Sequence, residues 1–402
     1  MSGGQSPTAR LLRLLCLLWL TGISMRITIL AVPPVIPLIH ADLHMSEAQV
    51  GFLVSLPLLL FAVAAVPGAL LVHRLGTFRT LTIGMAITAL AAAGRGGAHS
   101  VWTLYAATLV MGFGVAIMQP ALPALVREWL PQRIALGAAT STNGLVMGGM
   151  LAPALSFPLV LPLVGNSWRL DLIVWAAPVL ATALIFIAFA PRRASLPLQQ
   201  PTVGGGRWWP DWRSPLVWLL GLTFGSNNAM YFGTNAFVPD YLVSHGRADL
   251  IGPALVALNG AQLVASLLLL LVADRLQSYR ALPYLVFGPI SFLAALGLIL
   301  SSGAWIAVWA GVIGFSTAIT FAVMLALPPL LSRPGDVHRT AAGMFTISYT
   351  CAVVFPTASG ALWDLTGVPW TAFVALALCA IAQTILGMFL SRQPGASTDD
   401  KF

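Results

Sequence analysis

Residues 73–81 read His73-Arg74-Leu75-Gly76-Thr77-Phe78-Arg79-Thr80-Leu81, and half a chain later residues 274–282 read Asp274-Arg275-Leu276-Gln277-Ser278-Tyr279-Arg280-Ala281-Leu282. Each is a short basic interruption between long apolar blocks. Other landmarks keep nearly the same separation: Gly112-Phe113 with Gly314-Phe315, Gly165-x-x-Trp168 with Gly367-x-x-Trp370, and Pro153 with Pro356. Gly137-Ala138-Ala139-Thr140 likewise mirrors Thr340-Ala341-Ala342-Gly343. Any one match is weak, but a shared offset marks a chain built from two similar halves in the same orientation.

Working outward, the blocks on either side of these turns set the fold class. The chain has 402 residues, 58% hydrophobic and 8% charged, whereas soluble domains carry about 25% charged residues. That depletion excludes a soluble enzyme, a disordered chain and a nucleic-acid binder, although Lys+Arg number 20 against 12 Asp+Glu. A membrane helix needs about 20 mostly apolar residues. Twelve such blocks can be read, near 14–38, 49–72, 80–98, 101–126, 134–162 and 170–190, then 215–239, 250–273, 281–301, 304–331, 340–363 and 369–391. No alternating period of about ten residues recurs, which excludes a transmembrane barrel. The expectation is an all-α membrane protein of twelve transmembrane helices in two six-helix pseudo-symmetric bundles. The bundles are expected at 1–190 and 215–402, with a linker at 191–214 rich in Pro, Gly and Arg. Trp208, Trp209 and Trp212 in that linker read as an anchor at the lipid headgroups.

The basic residues set an expected orientation. With the N-terminus in the cytoplasm, all Lys and Arg except Arg26, Arg95, Arg169 and Arg247 fall on the cytoplasmic side, while the acids divide evenly. This is the positive-inside pattern. It expects both termini inside, and it reads most of the basic excess as topology. Arg10 and Arg13 precede an apolar run without a signal-peptide cleavage pattern, so that run reads as a retained first span. Cys16, Cys351 and Cys379 lie in apolar blocks and give no disulfide framework.

Arg26 stands out among the remaining charges. It lies about 20 Å into the first span at helical rise, and a charge at such depth should face a polar cavity or a partner. The alternative is an Arg that satisfies backbone carbonyls at the kink expected from Pro33, Pro34 and Pro37. Arg95, flanked by Gly94, Gly96 and Gly97, either joins the same site or extends to the outer interface. No acid is read at comparable depth, since Glu47, Asp240, Glu128 and Asp274 sit near span ends. Guanidiniums without acids suit an anion, because their planar donors grip carboxylate-like groups bidentately. Gln119, Asn143, Asn227, Asn228, Gln262 and Tyr349 interrupt apolar stretches, and Tyr231 follows the Asn pair by one turn. Each reads as a ligand contact or as an interhelical hydrogen bond. Gly144, Gly148 and Gly149 read as close helix packing. The histidines lack helical partners at metal spacing, so no metal is expected. No phosphate-binding loop or catalytic constellation is present, so neither a cofactor nor an enzyme is expected.

Over nearly its whole length the chain resembles the major facilitator superfamily. Its turn with Arg74, Gly76 and Arg79 is similar to that family's loop Gly-x-x-x-Asp-Arg-x-Gly-x-Arg-Arg, with Ala69, His73 and Phe78 departing from it. The resemblance implies a cytoplasmic gate of Arg74, Gly76 and Arg79 with Asp274 and Arg275 in the second copy. His73 in place of the acid weakens the first latch. Ile23-Ser24-Met25-Arg26, Gln119-Pro120-Ala121-Leu122-Pro123 leading to Arg127, Asn228-x-x-Tyr231 with Pro239, Gln262 and Arg95 resemble the cyanate and 2-nitroimidazole porters. The implied protein is a monomeric, multi-pass secondary transporter of the inner membrane. Its implied substrate is a small anionic or polar solute, cyanate-, nitrate- or carboxylate-like, held by Arg26. Export of neutral heterocycles or drugs and a transporter-fold membrane sensor stand as alternatives. With no mid-span acid read, the coupling ion stays open among uniport, exchange and proton co-transport.

Overall fold

In lipid every backbone N–H and C=O must be satisfied within the protein, which leaves a chain this apolar the choice of helices or a closed barrel. The computed structural model of the protein describes residues 7–63, 65–191, 209–278, 281–333 and 336–393, all helices and connections with no strand among them. The first half contains α1 (Pro7–Arg26), α2 (Ile36–Leu43), α3 (Glu47–Val63), α4 (Ala65–Arg95), α5 (Val101–Trp129), α6 (Ile134–Leu155), α7 (Leu161–Leu163) and α8 (Trp168–Phe189). The second contains α9 (Pro215–Ser244), α10 (Ile251–Ser278), α11 (Leu282–Leu300), α12 (Trp305–Leu331), α13 (Val337–Thr366) and α14 (Ala372–Ser391).

Ten segments among the described residues are long and apolar enough to cross a membrane. The second and seventh of the expected blocks are the exceptions, and each has a reason. In the second, residue 64 lies outside the described residues, so the block is described only as its parts in α3 and α4. The seventh is α9, where Asn227, Asn228, Asn235 and Asp240 dilute the hydropathy of a 30-residue helix. Large apolar side chains such as Leu90, Leu184, Leu293 and Leu378 point outward from the helices, as lipid-facing positions should.

Packing divides the chain into two compact units, Met1–Leu43 with Val63–Pro201, and His44–Ala62 with Thr202–Phe402. The junction falls in the expected 191–214 linker, of which 192–208, including Trp208, lie outside the described residues. The departure from the expected 1–190 layout is α3, which belongs to the second unit because it lies flush on α13. A side chain at Gly51 would meet the Pro356 carbonyl at 2.5 Å, and one at Gly360 would collide with the Glu47 carbonyl. Both Asp364 carboxylate oxygens accept backbone N–H groups at the start of α3, from Glu47 at 2.8 Å and Ala48 at 2.9 Å.

The duplication read in the sequence is visible inside each unit. In the first, α1 packs on α6 and α4 on both α5 and α8; in the second, α9 packs on α13, α10 on α12 and α11 on α14. The repeated turn explains why α4 serves as two elements. At Gly76 the backbone takes φ 82° and ψ 166°, a left-handed geometry that only glycine adopts freely, and the chain reverses there.

Candidate functional site

The first span does not run straight through. α1 ends at Arg26, the chain turns over residues 27–32, and a 3₁₀ turn at Pro33–Val35 leads into α2. Pro33, Pro34 and Pro37 have no N–H to donate to the carbonyls one turn back, which prevents a continuous helix. Arg26 is therefore the last residue of a helix, where the helix dipole favours a cation. Its guanidinium-bearing side chain is half-buried. The Cγ and Cδ atoms lie 3.6 and 3.7 Å from where a side chain at Gly149 would begin.

Glycines on α6 fix that position. A side chain at Gly144 would collide with the Trp19 carbonyl, and one at Gly148 would lie 2.5 Å from the Ile23 carbonyl. The Gly-x-x-x-Gly spacing lets two backbones touch, so Arg26 is carried on a rigid seam. On the same seam Asn143, half-buried, accepts a hydrogen bond from Trp19 Nε1 at 2.9 Å.

Arg95 is fully buried, so it does not extend to the outer interface. Its Nη2 donates to the Thr28 carbonyl at 2.8 Å, within the unwound stretch that follows Arg26. Arg95 Nε and Nη1 have no hydrogen-bond partner among the described residues. Two guanidiniums thus bracket one broken piece of backbone.

The polar residues of the second unit are arranged differently, in a nearly saturated neutral network. Asn227 accepts from Thr320 Oγ1 at 2.5 Å and donates to the Thr317 carbonyl at 3.2 Å. Asn228 donates to Ser348 Oγ at 2.8 Å. Tyr231 donates to Asn259 Oδ1 at 2.5 Å, and Asn259 donates in turn to Asn235 Oδ1 at 3.1 Å. Asn235 closes the loop by donating to the Tyr231 carbonyl at 2.9 Å. The sequence reading missed Asn235, Asn259, Thr320 and Ser348. Asn235 follows Asn228 and Tyr231 on one helical face, which is the signal that could have found it.

The remaining expected residues are more open. Gln119 is exposed on α5, beside the helix-interior Pro120. Gln262 is half-buried on α10, and its backbone carbonyl accepts from Ser266 at 2.8 Å. Tyr349, also half-buried, stacks on Phe345 at 5.8 Å and meets the edge of Phe61 at 5.7 Å. In the first repeated turn Arg74 and Arg79 are exposed, and Thr77 donates to Glu128 at 2.6 Å. Asp274 and Arg275 lie on α10, with side chains outside those described.

The sequence reading also passed over an acid in the first turn of α8. Asp171 on α8 is fully buried.

The family model of the Major Facilitator Superfamily matches residues 14–352. The chain is 28% identical to the uncharacterized transporter YycB of Bacillus subtilis (strain 168), covering 90% of each chain. It is 27% identical to the 2-nitroimidazole transporter of Escherichia coli (strain K12), over 92% of this chain and 93% of that one. To the cyanate transport protein CynX of Escherichia coli (strain K12) it is 24% identical, over 93% and 96%. Among solved structures, a single-site mutant of the nucleoside transporter NupG superposes with a TM-score of 0.75 at 13% identity, covering 94% of this chain and 99% of that one.

Proposed function

Because this chain belongs to the Major Facilitator Superfamily, we propose that it carries a small anionic or polar solute across the bacterial inner membrane by alternating access, with Arg26 as the anion anchor. Both termini are cytoplasmic in this reading, and the carrier acts as a monomer. The observation that carries it is the half-buried Arg26 at the point where the first span unwinds. A cation at unwound backbone can present donors to a ligand, as broken spans do in other transporters. Arg95 supplies a second positive charge behind the same backbone. Gln119, Asn143, Gln262 and Tyr349 read the shape of the solute, while Asn227, Asn228 and Tyr231 hold the helices around it. The repeated turns, with Arg74, Gly76, Arg79, Asp274 and Arg275, form the cytoplasmic gate.

The neutral network of the second unit and the Tyr349–Phe345 stack favour a second reading, transport of a neutral heterocycle, and a 2-nitroimidazole transporter is among the relatives. Uptake into proteoliposomes separates the two, with cyanate and 2-nitroimidazole as probes. If the anion is the substrate, Arg26→Ala lowers cyanate uptake by about 10- to 150-fold, the worth of one hydrogen bond to a charged group, and Arg26→Lys recovers part of it. Uptake of 2-nitroimidazole alone, indifferent to Arg26→Ala, would establish the second reading.

A further inference from the structure

Asp171 lies in the first turn of α8 with its side chain closed from solvent. Facing it is Ser156, also fully buried, at the start of a π-helical turn, Ser156–Val160, that contains Pro158. Trp175, one turn along α8, donates from Nε1 to Ser156 Oγ at 2.8 Å, and Ser156 donates its own proton to Asp171 Oδ2 at 3.3 Å. Asp171 Oδ1 has no partner among the described residues.

Charged groups on α8 and on the elements packed against it make contacts elsewhere. Arg169, on α8 itself, pairs with Asp42 of α2 at 2.8 Å and donates to the Ala98 carbonyl at 3.1 Å. Arg95, at the end of α4, donates to Thr28. The π turn carries no titratable side chain, and on α1 the charged residue nearest the break is Arg26, whose stem runs over Gly149. None of these contacts brings a cation to Asp171. The helix N-terminus favours negative charge only weakly, and a single long hydroxyl bond does not replace the hydration a carboxylate loses on burial.

We propose that the Asp171–Ser156–Trp175 cluster is a proton-binding site, with Asp171 holding a proton on Oδ1 at neutral pH while Oδ2 accepts the Ser156 hydroxyl. Binding takes one proton from water and converts the carboxylate to the neutral acid, so the charge of the site changes from −1 to 0. Hydration of the π turn stabilises the anion and releases the proton. π turns inside α-helices are frequent at functional sites, and this one supplies the hydroxyl that the acid needs.

Infrared difference spectroscopy on the full chain in liposomes at pH 7 tests this without a transport substrate. The wild-type minus Asp171→Asn spectrum should show a protonated-carboxyl C=O band that shifts in D₂O, and Asp171→Glu should retain one. Ser156→Ala should move that band to higher frequency, because its hydrogen bond is lost. This variant keeps the test open if Asp171→Asn does not fold. A carboxylate band in place of the acid band, or an acid band that Ser156→Ala leaves unmoved, would overturn the assignment.

Discussion

The two units solve the same packing problem at the same place with opposite chemistry. In the first, Trp19 and Ile23 of α1 meet Gly144 and Gly148 of α6. In the second the small residues at the matching positions change sides, and Gly221 and Gly225 of α9 meet Ile347 and Cys351 of α13. One turn further along come Arg26 in α1 and Asn228 in α9, at identical spacing from the seam. Asn228 is buried and bonded to Ser348, whereas Arg26 is half-buried over Gly149. A duplicated scaffold has thus kept its helix contact while one copy carries a charge and the other an amide. The charged candidates Arg26 and Arg95 lie in the first unit, and the neutral network of Asn227, Asn228 and Tyr231 lies in the second.

The largest expected effect comes from breaking the seam itself. Gly144→Leu drives a side chain into the Trp19 backbone, where nothing flexible can yield, and should abolish folding or cost about 3 kcal/mol or more. Ile347→Leu, the volume-preserving change at the matching position, should cost less than about 1.5 kcal/mol. Thermal unfolding of the two purified variants checks whether the units are as asymmetric as their glycines. Next is the neutral network. Tyr231→Phe leaves Asn259 Oδ1 buried without its 2.5 Å donor, a loss of about 1–3 kcal/mol in stability. If binding falls while stability holds, the framework role of Tyr231 is wrong.

The legibility of the sequence followed the same division. The twelve apolar blocks and the repeated turn were readable because lipid solvation imposes length and composition on every span. Arg26 could be singled out because a charge at that depth needs a polar cavity or a partner. The network around Asn227 and Tyr231 was not readable, because an amide in a span looks the same whether its partner is a ligand or another helix. The hydrogen-bond partners Thr320, Ser348 and Asn259 lie on other helices, far away in sequence. Asp171 was hidden by register, since proximity to a loop says nothing about which way the helix turns it. The break after Arg26 was legible only as a kink at the prolines, and the role of Thr28 as acceptor for Arg95 depends on tertiary contact.

Smaller effects sharpen the comparison at its edges. Asp364→Ala removes the cap on α3 and should cost about 1 kcal/mol, read as earlier proteolysis near residue 47 and a modest drop in thermal stability. Asp42→Asn removes a partly exposed ion pair with Arg169 and should cost between about 0 and 1 kcal/mol. A larger loss there would mean that the α2–α8 contact supports the buried cluster on α8.

Ligand-induced thermal stabilisation of the full chain, titrated with cyanate and with nitrate, tests the anion anchor most directly. The expected result is that at least one anion stabilises the wild type and Asn228→Ala, while Arg26→Ala shows no shift. Equal stabilisation of Arg26→Ala, or no stabilisation of the wild type by either anion, would contradict the assignment of Arg26.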